Sequence, residues 1–188
     1  MSASLYLIEA VPHTAGRREA LDLVEAVSRR VAAVGAELIE SQVAGQGERV
    51  FAVVEAADAG ALTTAVRELE GAAEVSEPAP VRLVGAELEQ IKATRPEAGY
   101  LVEWDIPATI DMDTYLARKK ANSPKYAEVP EVAFLRTYVR EDMAKCLCLY
   151  DAPDVATVER ARAVVSTPID RLHTLLSLES LGSAGSPR

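Results

Sequence analysis

Histidine and cysteine each occur only twice in 188 residues, and that scarcity narrows the chemistry at once. A nickel or zinc site would have to lean on carboxylates or thiolates, so no metal is expected. Cys146 and Cys148 stand two apart on one strand, a spacing poorly suited to a disulfide. They read as small core residues and say nothing of an oxidising compartment. Positive charge is also in short supply: 20 Lys and Arg face 29 Asp and Glu, a formal net charge of -9. An acidic surface argues against nonspecific binding to nucleic acid or to anionic membrane. No apolar run reaches membrane-spanning length, and the first residues lack a basic start followed by a long apolar stretch. A cytoplasmic protein without a membrane partner is therefore expected. A phosphate-cradling Gly-rich loop, a dinucleotide fingerprint and an elbow-borne Ser-His-Asp arrangement are missing too, so no organic cofactor is expected.

What the chain does contain is an internal echo. The stretch Phe134 to Pro153 repeats, in degenerate form, the stretch Leu38 to Ala57. Ser41-Gln42-Val43 stands where Thr137-Tyr138-Val139 stands, and Arg49 where Lys145 stands. Each copy reads as strand, turn, strand. If Leu135, Val139, Leu147 and Leu149 share one face, a three-residue loop, Glu141-Asp142-Met143, is required, because cross-strand partners lie on the same face. Gly45-Gln46-Gly47 is its counterpart, with Gly47 suited to a left-handed position.

Around these hairpins the order is β-α-β-β-α-β in each half. A strand from Leu5 to Val11 precedes a helix from Arg17 to Val34 that Gly35 ends. An Asp58-capped helix and a strand near Val81–Val84 follow the first hairpin. The unit restarts at Tyr100–Pro107, with a helix capped by Asp111 and cut short by Pro124, a helix from Asp154, and a closing strand at Ile169–Leu175. The reading is α+β: one unit over 4–84, a linker over 85–98, a second unit over 99–178 and a disordered tail over 179–188.

The second half resembles a family of small bacterial ferredoxin-like domains of unassigned function that includes a nickel-responsive protein. The resemblance rests on Tyr100-Leu101-Val102-Glu103, Thr137-Tyr138-Val139 with its acidic turn, Lys145 to Cys148, and Tyr150-Asp151-Ala152-Pro153-Asp154. It implies units that pair with their sheets facing each other. In a tandem chain that means one pseudo-dimeric α+β barrel, complete as a monomer and able at most to form a weak homodimer. Where some relatives carry a histidine on the second helix this chain has Glu159-Arg160-Ala161-Arg162, a departure from the nickel-binding pattern.

A barrel gives the second sheet face a role. With the face assignment above, Phe134, Arg136, Tyr138, Cys146, Cys148 and Tyr150 line the interior, joined by Glu103, Asp105, Arg171 and His173. The first half adds Glu9, Glu40 and Gln42 beside Leu7, Leu38, Val50, Ala52 and Val54. A mixed set of acid, base, phenol and guanidinium in an apolar cavity is the expected composition of a small-molecule site. Catalytic roles fall to Glu103, Tyr138 and His173, and ligand binding to Arg136, Glu40, Gln42, Asp105 and Cys148. Two readings follow. One is a cofactor-independent isomerase, cyclase or lyase acting on an apolar organic acid or polyketide-like substrate. The other is a metal- or ligand-binding module of the nickel-responsive kind, without catalysis. In either, Glu103 and Arg136 can also be a structural ion pair, and Arg118, Lys119, Lys120 and Lys125 are either a solvated helix face or the gate of an anionic ligand.

Overall fold

Apolar residues on both faces of most strands force this chain into three layers of core. The computed structural model describes residues 2–177; the tail read at 179–188 lies outside them. The first half holds β1 (Ser4–Pro12), α1 (Arg17–Ala32), β2 (Glu37–Ala44), β3 (Arg49–Ala56), α2 (Ala59–Val66), β4 (Ala72–Val75) and β5 (Ala79–Val84). A short helix, α3 (Leu88–Thr94), crosses the linker. The second half holds β6 (Tyr100–Asp105), α4 (Met112–Asn122), a 3-10 turn (Ser123–Glu128), β7 (Ala133–Arg140), β8 (Lys145–Asp151), α5 (Val155–Val164) and β9 (Arg171–Thr174).

Local chemistry sets the element ends. Asp58, Asp111 and Asp154 each accept a backbone N–H three residues on, at 2.8 to 2.9 Å, and so cap α2, α4 and α5. Gly35, at φ 75°, closes α1 in a Schellman motif, with the Ala36 amide donating to the Val31 carbonyl at 3.0 Å. Val34, read as the last apolar position of that helix, lies beyond it and is exposed. Pro124 converts the end of α4 to 3-10 geometry.

All strand pairs are antiparallel, in the order β2-β3-β1-β5-β7-β8-β6-β9, with β4 also on β1. Within each half the order matches the expected ferredoxin-like unit, apart from the additional strand β4. The halves join where β5 pairs β7 from Val81 to Val84. The outer edges, β2 and β9, meet only at a single bridge, Ala44 to Leu175, and among the described residues no ladder closes the sheet.

The hairpins correct the expected register. Val139 pairs with Cys146 and Val43 with Val50, so the turns are Glu141–Ala144 and Gly45–Glu48, four residues each rather than three. An even loop splits the presumed apolar set. Val139, Cys146, Cys148 and Tyr150 lie under α4 and α5, while Leu147 and Leu149 face the other way. The first half is inverted in the same manner: Val50, Ala52 and Val54 lie under α1 and α2, and Phe51 and Val53 oppose them. A bulge at Leu135 turns Phe134 to the helix side, and one at Ile39 does the same for Leu38. Alternation alone could not choose, because β3 and β8 are buried on both faces.

The middle core layer draws on both halves. Leu7, Phe51 and Val53 from the first pack with Leu101, Tyr138, Leu147 and Leu149 from the second, and Ile91 of α3 is sealed among them. The linker segment is thus part of the packed interior.

Candidate functional site

Two charged clusters interrupt this apolar middle layer. The first forms where β2 and β7 emerge from their bulges. Arg136, 1% exposed, donates from Nε to Glu40 Oε1 at 2.7 Å and from Nη2 to Glu40 Oε2 at 2.6 Å, a bidentate pair between the halves. Its Nη2 also reaches the Pro96 carbonyl at 3.2 Å. The Tyr138 hydroxyl donates to Glu40 Oε1, and Gln42 Nε2 donates to Glu40 Oε2 at 2.9 Å. Burial pushes the Glu40 carboxyl up, but the hydrogen bonds and charge of Arg136, with the bonds from Tyr138 and Gln42, outweigh it and hold the group below its ordinary value. Burial, and then the neighbouring Glu40 charge, push the Tyr138 phenol well up, so it stays protonated and donates.

The second cluster lies at the ends of β1, β6, β8 and β9. Glu103, 2% exposed, accepts from Lys145 Nζ at 2.6 Å and Arg171 Nε at 2.8 Å, and its Oε2 lies 2.7 Å from His173 Nε2. Lys145 bridges on to Glu9 at 2.9 Å, and Glu9 to Arg49 at 3.5 Å. Burial again opposes ionisation, but His173, Lys145 and Arg171 hold the Glu103 carboxyl far below the usual range. Asp105 sits outside, its side chain 53% exposed, paired with Arg171.

Glu103, Arg136, Tyr138 and His173 therefore do share one face, as the strand alternation of β6, β7 and β9 required. They do not form one constellation. Tyr138 and Glu103 both pair with Leu147, from opposite sides, which sets them two strands apart, roughly 10 Å. Cys148 is on the opposite face of the sheet from Glu40, contrary to expectation, because the four-residue turn reverses β8.

Above the Glu40 and Arg136 pair opens a cleft of about 360 Å³. Leu38, Ile39, Ile91 and Leu176 give it apolar walls, and Glu40, Gln42, Arg95, Glu97 and Arg136 polar ones. Glu97 accepts from Ser177 Oγ at 3.2 Å and Glu40 is bound to Arg136. The Arg95 guanidinium has no ion-pair partner among the described residues. Sequence alone does not single out Arg95, though its position before Pro96 in the linker is a legible turn signal; at φ 42° it ends α3 in the left-handed region. Among the described residues no group of three or more His, Cys, Asp or Glu side chains converges to hold a metal ion, and no helix is long and apolar enough to cross a membrane.

The architecture so described is that of the ferredoxin-like α+β class. A solved structure from Lactobacillus acidophilus NCFM, described as a monooxygenase by provisional assignment, is similar over 94% of this chain and 94% of its own, with TM-score 0.51 and 10% identity. Another, provisionally described as a chlorite dismutase, is similar over 93% of this chain and 95% of its own, with TM-score 0.50 and 11% identity. At these identities the likeness is one of fold. More particularly, residues 100–175 match the family described as "Nickel responsive protein SCO4226-like". No curated protein matches the chain.

Proposed function

We propose that this chain binds a small, mostly apolar organic acid in the cleft beneath α3. The observation that carries this reading is the partly apolar cleft with the Arg95 guanidinium at its rim, a cation without an ion-pair partner among the described residues, above a floor where Glu40 and Arg136 already satisfy each other. Its volume lies in the range of small-molecule pockets. The ligand's carboxylate would take Arg95, its apolar body would lie on Ile39, Ile91 and Leu176, and Gln42 would supply a neutral polar contact. Arg136, Glu40 and Tyr138 would form the rigid floor.

The same geometry favours binding over catalysis. An isomerase, cyclase or lyase needs a group free to take a proton. Glu40 accepts from Arg136, Tyr138 and Gln42, and Glu103 from Lys145, Arg171 and His173, and both are held in the ionised, weakly basic form. Glu103, His173 and Asp105 are on this account a structural lock at the far cluster.

We further read the chain as two ferredoxin-like units, over 4–84 and 99–178, related by duplication and arranged as one α+β barrel. Supporting this are the bulges at Ile39 and Leu135, the four-residue turns of both hairpins, and the matching pairs Glu9 with Phe51 and Glu103 with Leu147. The edge bridge between Ala44 and Leu175 stands where closure would occur.

A thermal-shift panel on the full chain tests the binding reading. Aliphatic and aromatic carboxylic acids, their matching alcohols, and nickel chloride with and without chelator are compared. An acid at about a hundred times its Kd should add about 2.7 kcal/mol, a rise of roughly 5–10 °C at this chain length. The alcohol should do far less, and Arg95→Ala should erase the difference. Stabilisation by nickel alone, reversed by chelator, would replace this reading with the metal-responsive one.

A further inference from the structure

A second, smaller cavity lies on the other side of the sheet, beneath α4, the 3-10 turn and α5. Its volume is about 30 Å³, and Tyr115, Lys119, Tyr126, Cys146, Cys148 and Arg162 are among its lining. Arg162 is 3% exposed, yet among the described residues no carboxylate pairs with it and its Nε has no hydrogen-bond partner. Its Nη2 donates to the Pro168 carbonyl at 2.6 Å, and its Nη1 to the Tyr150 hydroxyl at 3.1 Å and to Cys148 Sγ at 3.4 Å. Lys119, also without a carboxylate partner among the described residues, donates to Thr137 Oγ1 at 2.9 Å.

Donor and acceptor roles are forced here. Lysine and arginine can only donate. Thr137 Oγ1 accepts from Lys119, so its own hydrogen is free for Cys148 Sγ, at 3.2 Å. The sulfur thus faces two hydroxyl or guanidinium donors, and the Cys146 thiol stands 3.9 Å away. A buried cation needs a buried anion, and the sulfur is the atom placed to be one.

We propose that Cys148 is a thiolate held as the counter-ion of Arg162, and that this cavity is an oxidation site where a small hydroperoxide converts it to a sulfenic acid. The cavity has room for about two water-sized centres, the size of hydrogen peroxide. The thiolate attacks one peroxide oxygen; an S–O bond forms and the O–O bond breaks. Sulfur loses two electrons and the peroxide gains them. The departing hydroxide takes a proton from the Lys119 ammonium at the half-buried rim, which regains one from solvent. The electrostatics agree: the hydrogen bond from Cys146, and then Lys119, Arg162 and Thr137, hold the Cys148 thiol well below its ordinary value against the effect of burial, whereas Cys146 is pushed up and remains a thiol. Cys146 lies two residues along the same strand, a poor geometry for a disulfide, so the sulfenic acid persists. The basic residues Arg118 and Lys119 at the mouth, in a protein of net charge -9, serve this site.

The test treats the folded full chain with hydrogen peroxide, traps sulfenic acid with dimedone and maps it by peptide mass spectrometry. Cys148 should label and Cys146 should not, and Cys146→Ser, which keeps a hydrogen-bond donor beside the Cys148 sulfur, should still label at Cys148. Between about pH 5.5 and about pH 8 the rate should change less than about threefold, whereas an ordinary thiol would accelerate ~200-fold as its thiolate fraction rises. Thr137→Val and Lys119→Met remove the donor relay without touching Arg162, and each should restore a steep pH dependence and reduce the ultraviolet thiolate absorbance at neutral pH. Absence of label at Cys148, labelling at Cys146 instead, or an ordinary thiol's pH dependence in the unmodified chain would each overturn the proposal.

Discussion

At the scale of single residues, the Glu40 and Arg136 pair is a buried, bidentate ion pair between the two halves. Both side chains are buried, at 9% and 1% exposure. Arg136→Ala would leave a buried carboxylate with its principal partner gone and should cost about 3–5 kcal/mol, read by urea denaturation. Tyr138→Phe removes one donor of several to the same carboxylate and should cost less, roughly 1.5–3 kcal/mol. Equal losses in the two variants would mean that the Arg136 charge is not what chiefly stabilises the buried Glu40 carboxylate. The pH dependence follows from the same groups. Glu40 and Glu103 titrate lower in the folded chain than in the unfolded one, so the stability they contribute is fully present above the unfolded carboxylate value of about 4.3. It is lost as pH falls below that value. Urea midpoints should hold between about pH 7 and about pH 5.5 and fall steeply by about pH 3; a flat profile would contradict the two buried networks.

At the scale of elements, the two hairpin turns share a left-handed third position. Gly47 and Met143 occupy corresponding positions with φ 97° and φ 61°. Met143→Gly should relieve left-handed strain of about 1–2 kcal/mol, but it adds about 0.5–1 kcal/mol of chain entropy and removes a half-buried side chain packed against the core under α4 and α5, so no net gain is expected. Gly47→Ala should destabilise by more than about 1 kcal/mol, because a Cβ there would meet the Gly16 carbonyl at 2.1 Å. Thermal unfolding of both variants checks the sign. The left-handed positions are legible in sequence because glycine marks one of them. The loop length is not, since Arg140 and Lys145 look equally suited to strand or turn. Nor are the bulges at Ile39 and Leu135, which resemble ordinary apolar strand positions. Arg136, Tyr138, Glu40 and Gln42 still fall on the interior face as expected, because their side is set by β2 and β7 themselves; Cys148 does not, because its side is inferred through the turn.

At the scale of the whole molecule, the middle core layer and both ion clusters are shared between the halves. Helix caps, the restart at Tyr100 and the strand order within each unit are readable from local pattern. The role of the linker is not: nothing in Leu88–Thr94 announces that Ile91 is sealed in the core layer shared by the two halves or that Arg95 stands over a cleft. Receipt of an organic acid in this cleft is tested most directly by backbone amide chemical shifts of the full chain, followed during titration with an acid that raises the melting temperature. Saturable shifts should cluster at Ile39, Glu40, Gln42, Ile91, Arg95 and Glu97, and be lost in Arg95→Ala. Shifts confined to α4 and α5, or no saturable shifts at all, would contradict acid binding in the cleft.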